Sequence, residues 1–290
     1  MTNRAGAPVV VGVDGSRSAL DAVGVAAREA VARNRPLRVV HAFIWPLFGV
    51  PLGPAPVGPP DGGLRNEAER IVTEAVAEAG KIAPELTVTG YLSDGAPTPV
   101  LLREARDAAL VVLGTRGLGG FAGLLIGSVA VQVSARADCP VLVVRGEPRA
   151  DGPVLVGVDG SALSTEALGF AFAAAAQRDT GLLAVHAWLT PAPIGPGDVL
   201  PLVYDVEALA AEEERALAGW SQRYPDVPVT RRLVPGAAAR VLVEASASAQ
   251  LTVVGAHGRG ALGGVLLGSV SHAVLHHGHG PLVIVRRPAA

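Results

Sequence analysis

The sequence predicts an α/β protein made of two tandem, doubly wound domains, each a five-stranded parallel sheet flanked by helices. Short, β-branched apolar runs alternate with stretches of helical periodicity from end to end, the pattern of a parallel sheet with right-handed crossovers. The pattern is written twice. Pro8-Val-Val-Val-Gly-Val-Asp14-Gly-Ser16 returns as Pro153-Val-Leu-Val-Gly-Val-Asp159-Gly-Ser161. The length of 290 residues is about twice that of a common domain and gives each half material for its own core.

The repeat sets the boundaries. Asp14 against Asp159, and Val40-His41-Ala42 against Val185-His186-Ala187, lie 145 residues apart. Leu92 against Leu233, Gly95 against Gly236 and Pro140 against Pro281 lie 141 apart, so a net four-residue deletion falls in the middle of the second copy. The polar stretch Gly146-Glu-Pro-Arg-Ala-Asp-Gly-Pro153 reads as the junction, giving domains over 1–147 and 151–290.

In the first copy, Val9 to Val13 is an unbroken apolar run suited to a strand buried on both faces. Asp14-Gly-Ser ends it. Leu20, Val23, Ala27, Ala30 and Val31 then recur at helical spacing, with Ser16 or Ser18 available as N-cap. Leu37 to Phe43 is a second strand, Glu67 to Ala79 a helix with Ile71, Ala75 and Ala79 on one side, and Leu86 to Leu92 a third strand. Pro99 to Ala108 is a helix, Ala109 to Leu113 a strand, Ser128 to Arg136 a helix and Val141 to Val144 a fifth strand. Ligands of such sheets sit beyond the carboxyl ends of the strands, where Asp14, Ala42 and Gly114 all fall. Trp45 to Asn66 and Trp188 to about Tyr204 are aperiodic and rich in proline and glycine, as a binding lid or a disordered loop would be.

The most specific pattern is Gly-x-x-Gly, nine residues, Gly-Ser: Gly114-Thr-Arg116-Gly117 to Gly127-Ser128, repeated as Gly255-Ala-His257-Gly258 to Gly268-Ser269. Each copy follows an apolar strand and precedes a helix, the setting of a phosphate-binding turn. The glycines are expected to supply positive φ and room for close backbone approach. Ser128 and Ser269 would donate to a phosphate or cap the helix that begins there. A Walker loop is excluded because the single lysine, Lys81, lies in no such context. The dinucleotide pattern fits locally but lacks an acid at the end of the following strand, and no Gly-x-Ser-x-Gly elbow is present.

Asp14 and Asp159 read either as ribose or Mg²⁺ ligands or as Asp-Gly turn formers. His272, His276, His277 and His279 read first as histidines complementing a helix C-terminus and second as metal ligands; the first copy has Val131, Ala135, Arg136 and Asp138 there. His41 and His186 read as core groups, and Cys139 as a small buried residue. A net charge of −2 leaves no footprint for nucleic acid. One cysteine excludes an intrachain disulfide and fits a reducing compartment. No leader pattern or 18-residue apolar run appears, so no membrane association is expected and the location expected is cytoplasmic.

Asp-Gly-Ser after the first strand, Val-His-Ala on the second, the doubled glycine pattern and the closing Cys139-Pro-Val-Leu-Val-Val-Arg145 together resemble a tandem universal stress protein over essentially the whole chain. The resemblance implies the strand order 3-2-1-4-5 in each domain and an intrachain pseudo-dimer paired through the fifth strands. Its ATP-binding branch carries this glycine motif, which implies a nucleotide in each half. Asp14 and the backbone of Ala42 would then face ribose and adenine, and Gly114, Gly117, Gly127, Ser128 and Val129 would wrap the phosphates with Arg116 between them. The counterparts are Asp159, Ala187, Gly255, Gly258, Gly268, Ser269 and Val270, with His257 in place of Arg116. A neutral histidine supplies less fixed positive charge, so the first site is expected to be the tighter.

The function implied is a nucleotide-responsive regulator of stress response or growth, binding ATP with or without Mg²⁺ and acting through an unidentified protein partner. The alternatives are a slow ATPase and a pseudo-dimeric scaffold for another adenine nucleotide such as cyclic AMP. No catalytic residue stands out, because neither motif brings a general base, a lysine or paired acids. Strand edges left after intrachain pairing leave room for a homodimer.

Overall fold

The computed structural model describes residues 6–44, 63–117, 126–146, 149, 151–188, 206–258 and 267–286. The chain divides into two compact units, one running through Arg145 and the other spanning Gly146–Val285. In the first, β1 (Val9–Val13), α1 (Arg17–Ala32), β2 (Leu37–Phe43), α2 (Leu64–Ile82) and β3 (Val88–Asp94) are followed by α3 (Pro97–Ala105), β4 (Leu110–Gly114), α4 (Ser128–Arg136) and β5 (Val141–Val144). The strands run parallel in the order β3-β2-β1-β4-β5, as expected.

The second unit repeats the plan with β6 (Val154–Gly157), α5 (Ala162–Gln177), β7 (Leu182–Trp188), α6 (Val206–Arg223) and β8 (Val229–Pro235). It continues through α7 (Ala238–Ser246), β9 (Leu251–Gly255), α8 (Ser269–His277) and β10 (Leu282–Val285). Its parallel order is β8-β7-β6-β9-β10. Strands β1, β4, β5, β9 and β10 are buried at every position except Gly12, Gly114 and Gly255, and this is why their sequences are apolar without alternation.

Several elements differ from their expected form. The buried stripe of α1 is built from Ala19, Ala22, Val23, Ala26, Ala27 and Ala30, whereas Leu20 is only half-buried and Val31 is 57% exposed. Alanines let the helix lie close on the sheet, and a reading that weights large apolar side chains misplaces such a stripe. Helix α2 starts at Leu64, inside the stretch read as aperiodic, and its added residues include Arg65, paired with Glu69 at 3.0 Å just ahead of the pair Arg70–Glu67. Its buried positions are Ala68, Ala75 and Ala79, with Ile71 at the margin. Strand β3 begins two residues late because Leu86 closes a turn onto the Ala83 carbonyl at 3.0 Å. Helix α3 starts early, since Pro97 fits a first helical position, and ends at Ala105. The remainder of the two proline-rich stretches lies outside the described residues.

Candidate functional site

Two crevices open where β1 and β4, and in the second unit β6 and β9, end side by side. In the first, the chain leaves β1 through Asp14-Gly15-Ser16. Gly15 takes φ +84°, a conformation that glycine adopts without strain. The turn lets the Ser16 amide donate to Asp14 Oδ1 at 3.0 Å. Ser16 is also the N-cap of α1: its Oγ accepts from the Ala19 amide at 3.2 Å and donates to the Arg116 carbonyl at 3.2 Å. One hydroxyl therefore ties the end of β1 to the glycine segment.

That segment is pinned at both ends. The Thr115 amide donates to Ser18 Oγ at 3.0 Å, and the Gly127 amide returns to the Thr115 carbonyl at 2.7 Å. Helix α4 then begins at Ser128, with Gly127 as an N-cap that offers no side chain. Its first-turn amides are thus not capped by a side chain, at the positive end of the helix dipole, and Ser128 to Ala130 line the crevice. Ser128 is the first helical residue and not the cap, which removes one of its two expected roles.

All eight positions singled out in the first half, Asp14, Ala42, Gly114, Arg116, Gly117, Gly127, Ser128 and Val129, border this crevice of about 480 Å³. The eight of the second half, Asp159, Ala187, Gly255, His257, Gly258, Gly268, Ser269 and Val270, border one of about 430 Å³. Both volumes fall in the range of small-molecule sites. Each lining also carries apolar side chains: Val40, Leu101 and Leu113 in the first, Val185, Leu242 and Val254 in the second.

The glycines work differently from expectation. None of Gly114, Gly117, Gly127, Gly255, Gly258 and Gly268 has positive φ; among the strand-end turns, Gly15 and Gly160 do. What they provide is room. A Cβ on Gly117 would collide with Asp14 Oδ2, and one on Gly258 with Asp159 Oδ2. A Cβ on Gly114 would run into Ser18, including its carbonyl at 2.6 Å. The Gly-x-x-Gly spacing therefore clears a place for the strand-end carboxylate.

The second crevice keeps the plan with other ties. Asp159 Oδ1 accepts from the Ser161 amide at 2.9 Å, and Ser161 caps α5 by accepting from the Ser164 amide at 3.2 Å. Gly268 donates to the Ala256 carbonyl at 2.8 Å, and Ser271 Oγ donates to the same carbonyl at 2.7 Å. Gly268 is the N-cap of α8 without a side-chain bond, so Ser269, like Ser128, lies in the first turn.

Sequence reasoning read Ser18 only as a possible N-cap, not as the tie to Thr115, and missed Thr115 in the first crevice and Ser164 and Ser271 in the second. The repeat conceals them, because their counterparts are Leu163, Ala256, Ala19 and Ala130. The other polar candidates lie elsewhere or serve the scaffold. His41 Nδ1 donates to the Val13 carbonyl at 2.7 Å, bracing β1 against β2, and its ring borders the first crevice. His186 is buried in β7. Cys139 is buried before β5, and burial, with the nearby Asp138 charge, pushes its thiol up to about 12. The histidines of α8 and its C-terminal flank are not crevice residues. No helix among the described residues is long and apolar enough to cross a membrane.

Comparison with known proteins gives this arrangement a family. The model of the universal stress protein family matches residues 7–145 and again 152–286. Universal stress protein Rv2005c of Mycobacterium tuberculosis is 42% identical, over 96% of this chain and 97% of its own length. Universal stress protein Rv2623 of the same species is 38% identical over 96% of each. A solved universal stress protein from Archaeoglobus fulgidus superposes with a TM-score of 0.69, covering 97% of this chain and 96% of that one; at 16% identity the likeness is one of fold. The chain is a tandem member of the universal stress protein family.

Proposed function

We propose that each half binds one adenine nucleotide, ATP foremost, and that the protein acts as a nucleotide-responsive regulator. The observation that carries this reading is the convergence, twice in one chain, of three features on one crevice: a strand-end carboxylate, a helix N-terminus without a side-chain cap and an apolar wall. The helix terminus suits phosphate, the carboxylate suits ribose hydroxyls, and the apolar wall suits the face of a base. Gly117 and Gly258 leave the room that the Asp14 and Asp159 carboxylates occupy at the crevice, which a Cβ at either glycine would take.

Mg²⁺ fits the same chemistry as a companion of the phosphates. Asp14 or Asp159 would hold it as a hard oxygen donor, while nucleotide and water complete its shell. Among the described residues no group of three or more histidine, cysteine or acidic side chains gathers to hold a metal unaided. The ion would supply charge neutralisation for the phosphates.

Regulation is favoured over turnover by the composition of the two walls. Neither described lining brings a lysine or a second carboxylate beside Asp14 or Asp159, as phosphoryl-transfer sites do. Binding would instead order the glycine segments and present a changed surface to a protein partner in the cytoplasm. Native mass spectrometry of gently purified protein, followed by identification of the released ligand, tests the reading. Two ATP or ADP per chain are expected. No ligand, and no binding on titration with ATP and Mg²⁺, would leave the fold as a scaffold. Sustained hydrolysis abolished by Asp14→Ala would replace the regulator with a slow ATPase, and release of cyclic AMP would reassign the ligand.

A further inference from the structure

We propose that α8 carries a transition-metal site formed by His272 and His276, with Cu²⁺ as the ion that fits it. The two residues stand one turn apart on a single face of the helix, and their ring centres are 4.4 Å apart. An ion bound at about 2.0–2.1 Å from an imidazole nitrogen lies roughly 3.2 Å from that ring's centre. Two rings on adjacent corners of a square-planar ion therefore have centres roughly 4.5 Å apart, and on a tetrahedral ion roughly 5.2 Å. The observed separation fits the 90° angle of square-planar, tetragonal and octahedral ions more nearly than that of a tetrahedral one such as Zn²⁺. Among the divalent ions with that angle, the usual order of affinities and the preference of imidazole select Cu²⁺.

Access and donor type agree with this assignment. His272 is exposed and His276 half-buried. Imidazole is a favoured ligand for copper, and a histidine that binds through one ring nitrogen commonly uses the other in a hydrogen bond. His277 is a poor third ligand: it follows His276 directly, and its ring centre lies 6.2 Å away on another face. The described residues gather no three-ligand group, so two histidines and water complete the shell. The site belongs to the second half alone, since Val131 and Ala135 occupy the equivalent places in α4.

Neither histidine borders the second crevice, so this inference is independent of the nucleotide reading. The consequence is nevertheless local to that crevice. An ion bridging His272 and His276 staples the turn directly after Ser269 and Val270, and binding only to the folded helix raises its stability.

The test is a Cu²⁺ titration of the full chain by calorimetry, with electron paramagnetic resonance of the complex. We expect one ion per chain in a tetragonal site with two nitrogen donors and a raised melting temperature. His272→Ala, at an exposed position that the fold does not need, is expected to weaken binding about tenfold or more. His279→Ala, beyond the helix, is expected to leave it unchanged. Retention of wild-type affinity in His272→Ala, an equal loss in His279→Ala, or the absence of a one-to-one complex would overturn the assignment.

Discussion

The two crevices of this chain are the same device held together by different side chains. In the first, Ser16 and Ser18 on α1 reach across to the Arg116 carbonyl and the Thr115 amide, so the helix after β1 directly positions the segment after β4. In the second, Leu163 and Ala256 replace Ser18 and Thr115, and Ser271 on α8 holds the Ala256 carbonyl instead. Polar bracing has moved from the front helix to the helix that follows the motif. The backbone path and the room for the carboxylate are retained, and these are the features that the proposed nucleotide chemistry requires. Which side chain supplies each tie is free to drift.

The shared part should break most severely. Gly117→Ala drives its Cβ onto the Asp14 carboxylate and is expected to cost the first crevice about a hundredfold in nucleotide affinity. Because the displaced group is the end of a side chain, folding stability should change by less than about 1 kcal/mol. Gly258→Ala should do the same to the second crevice only. Calorimetric titration with paired denaturant unfolding checks both halves of the expectation.

Gly114 and Gly255 sharpen the comparison. At Gly114 a Cβ meets the Ser18 backbone, which cannot swing aside, whereas at Gly255 the nearest atom is Leu163 Cβ at 3.1 Å. Gly114→Ala is expected to destabilise by about 1–3 kcal/mol and Gly255→Ala by distinctly less. Equal losses in urea unfolding would mean that the two ties are equivalent after all.

Alkali should distinguish the halves through Cys139, whose counterpart is Gly280. Burial raises the folded thiol from its ordinary 9.0 to about 12. Stability from this group is therefore intact below about pH 9 and lost as the pH climbs toward 12, because the unfolded chain releases the proton and the folded one keeps it. The slope is about 1 kcal/mol per pH unit. Urea midpoints at pH 8 and 10.5 should fall further in the wild type than in Cys139→Ala.

The smallest effect concerns the caps. Ser16→Ala and Ser161→Ala each remove an N-cap and should cost about 1 kcal/mol. Ser16 also donates to the Arg116 carbonyl, so thermal melting should show the larger loss in the first half.

The strand and helix order was legible because buried parallel strands must be apolar without interruption and because the repeat reads each element twice. Twelve of the sixteen crevice positions were legible for the same reason, as glycines, serines and strand ends that duplication left intact, whereas Arg116, Val129 and their counterparts His257 and Val270 came with the family resemblance. The role of the glycines was not, since sequence cannot distinguish a glycine chosen for φ from one chosen for space. Gly15 is the first kind and Gly117 the second. Nor was the tie between Ser18 and Thr115, residues that differ between copies and meet only when the fold brings positions 97 apart in sequence together. The edge strand β3 slipped by two residues because its register is set by its partner β2 and a preceding turn, neither of which shows in its own pattern.

The central claim is that both crevices take the same ligand with unequal strength, since Arg116 of the first is His257 in the second. The most direct measurement is calorimetric titration of ATP with Mg²⁺ into Asp14→Ala, which leaves the second crevice whole, and Asp159→Ala, which leaves the first. The account predicts one site in each variant, about five- to tenfold tighter in Asp159→Ala, with the order reversed when Arg116→His and His257→Arg are added. Equal affinities in the two single variants, or two full sites remaining in either, would contradict it.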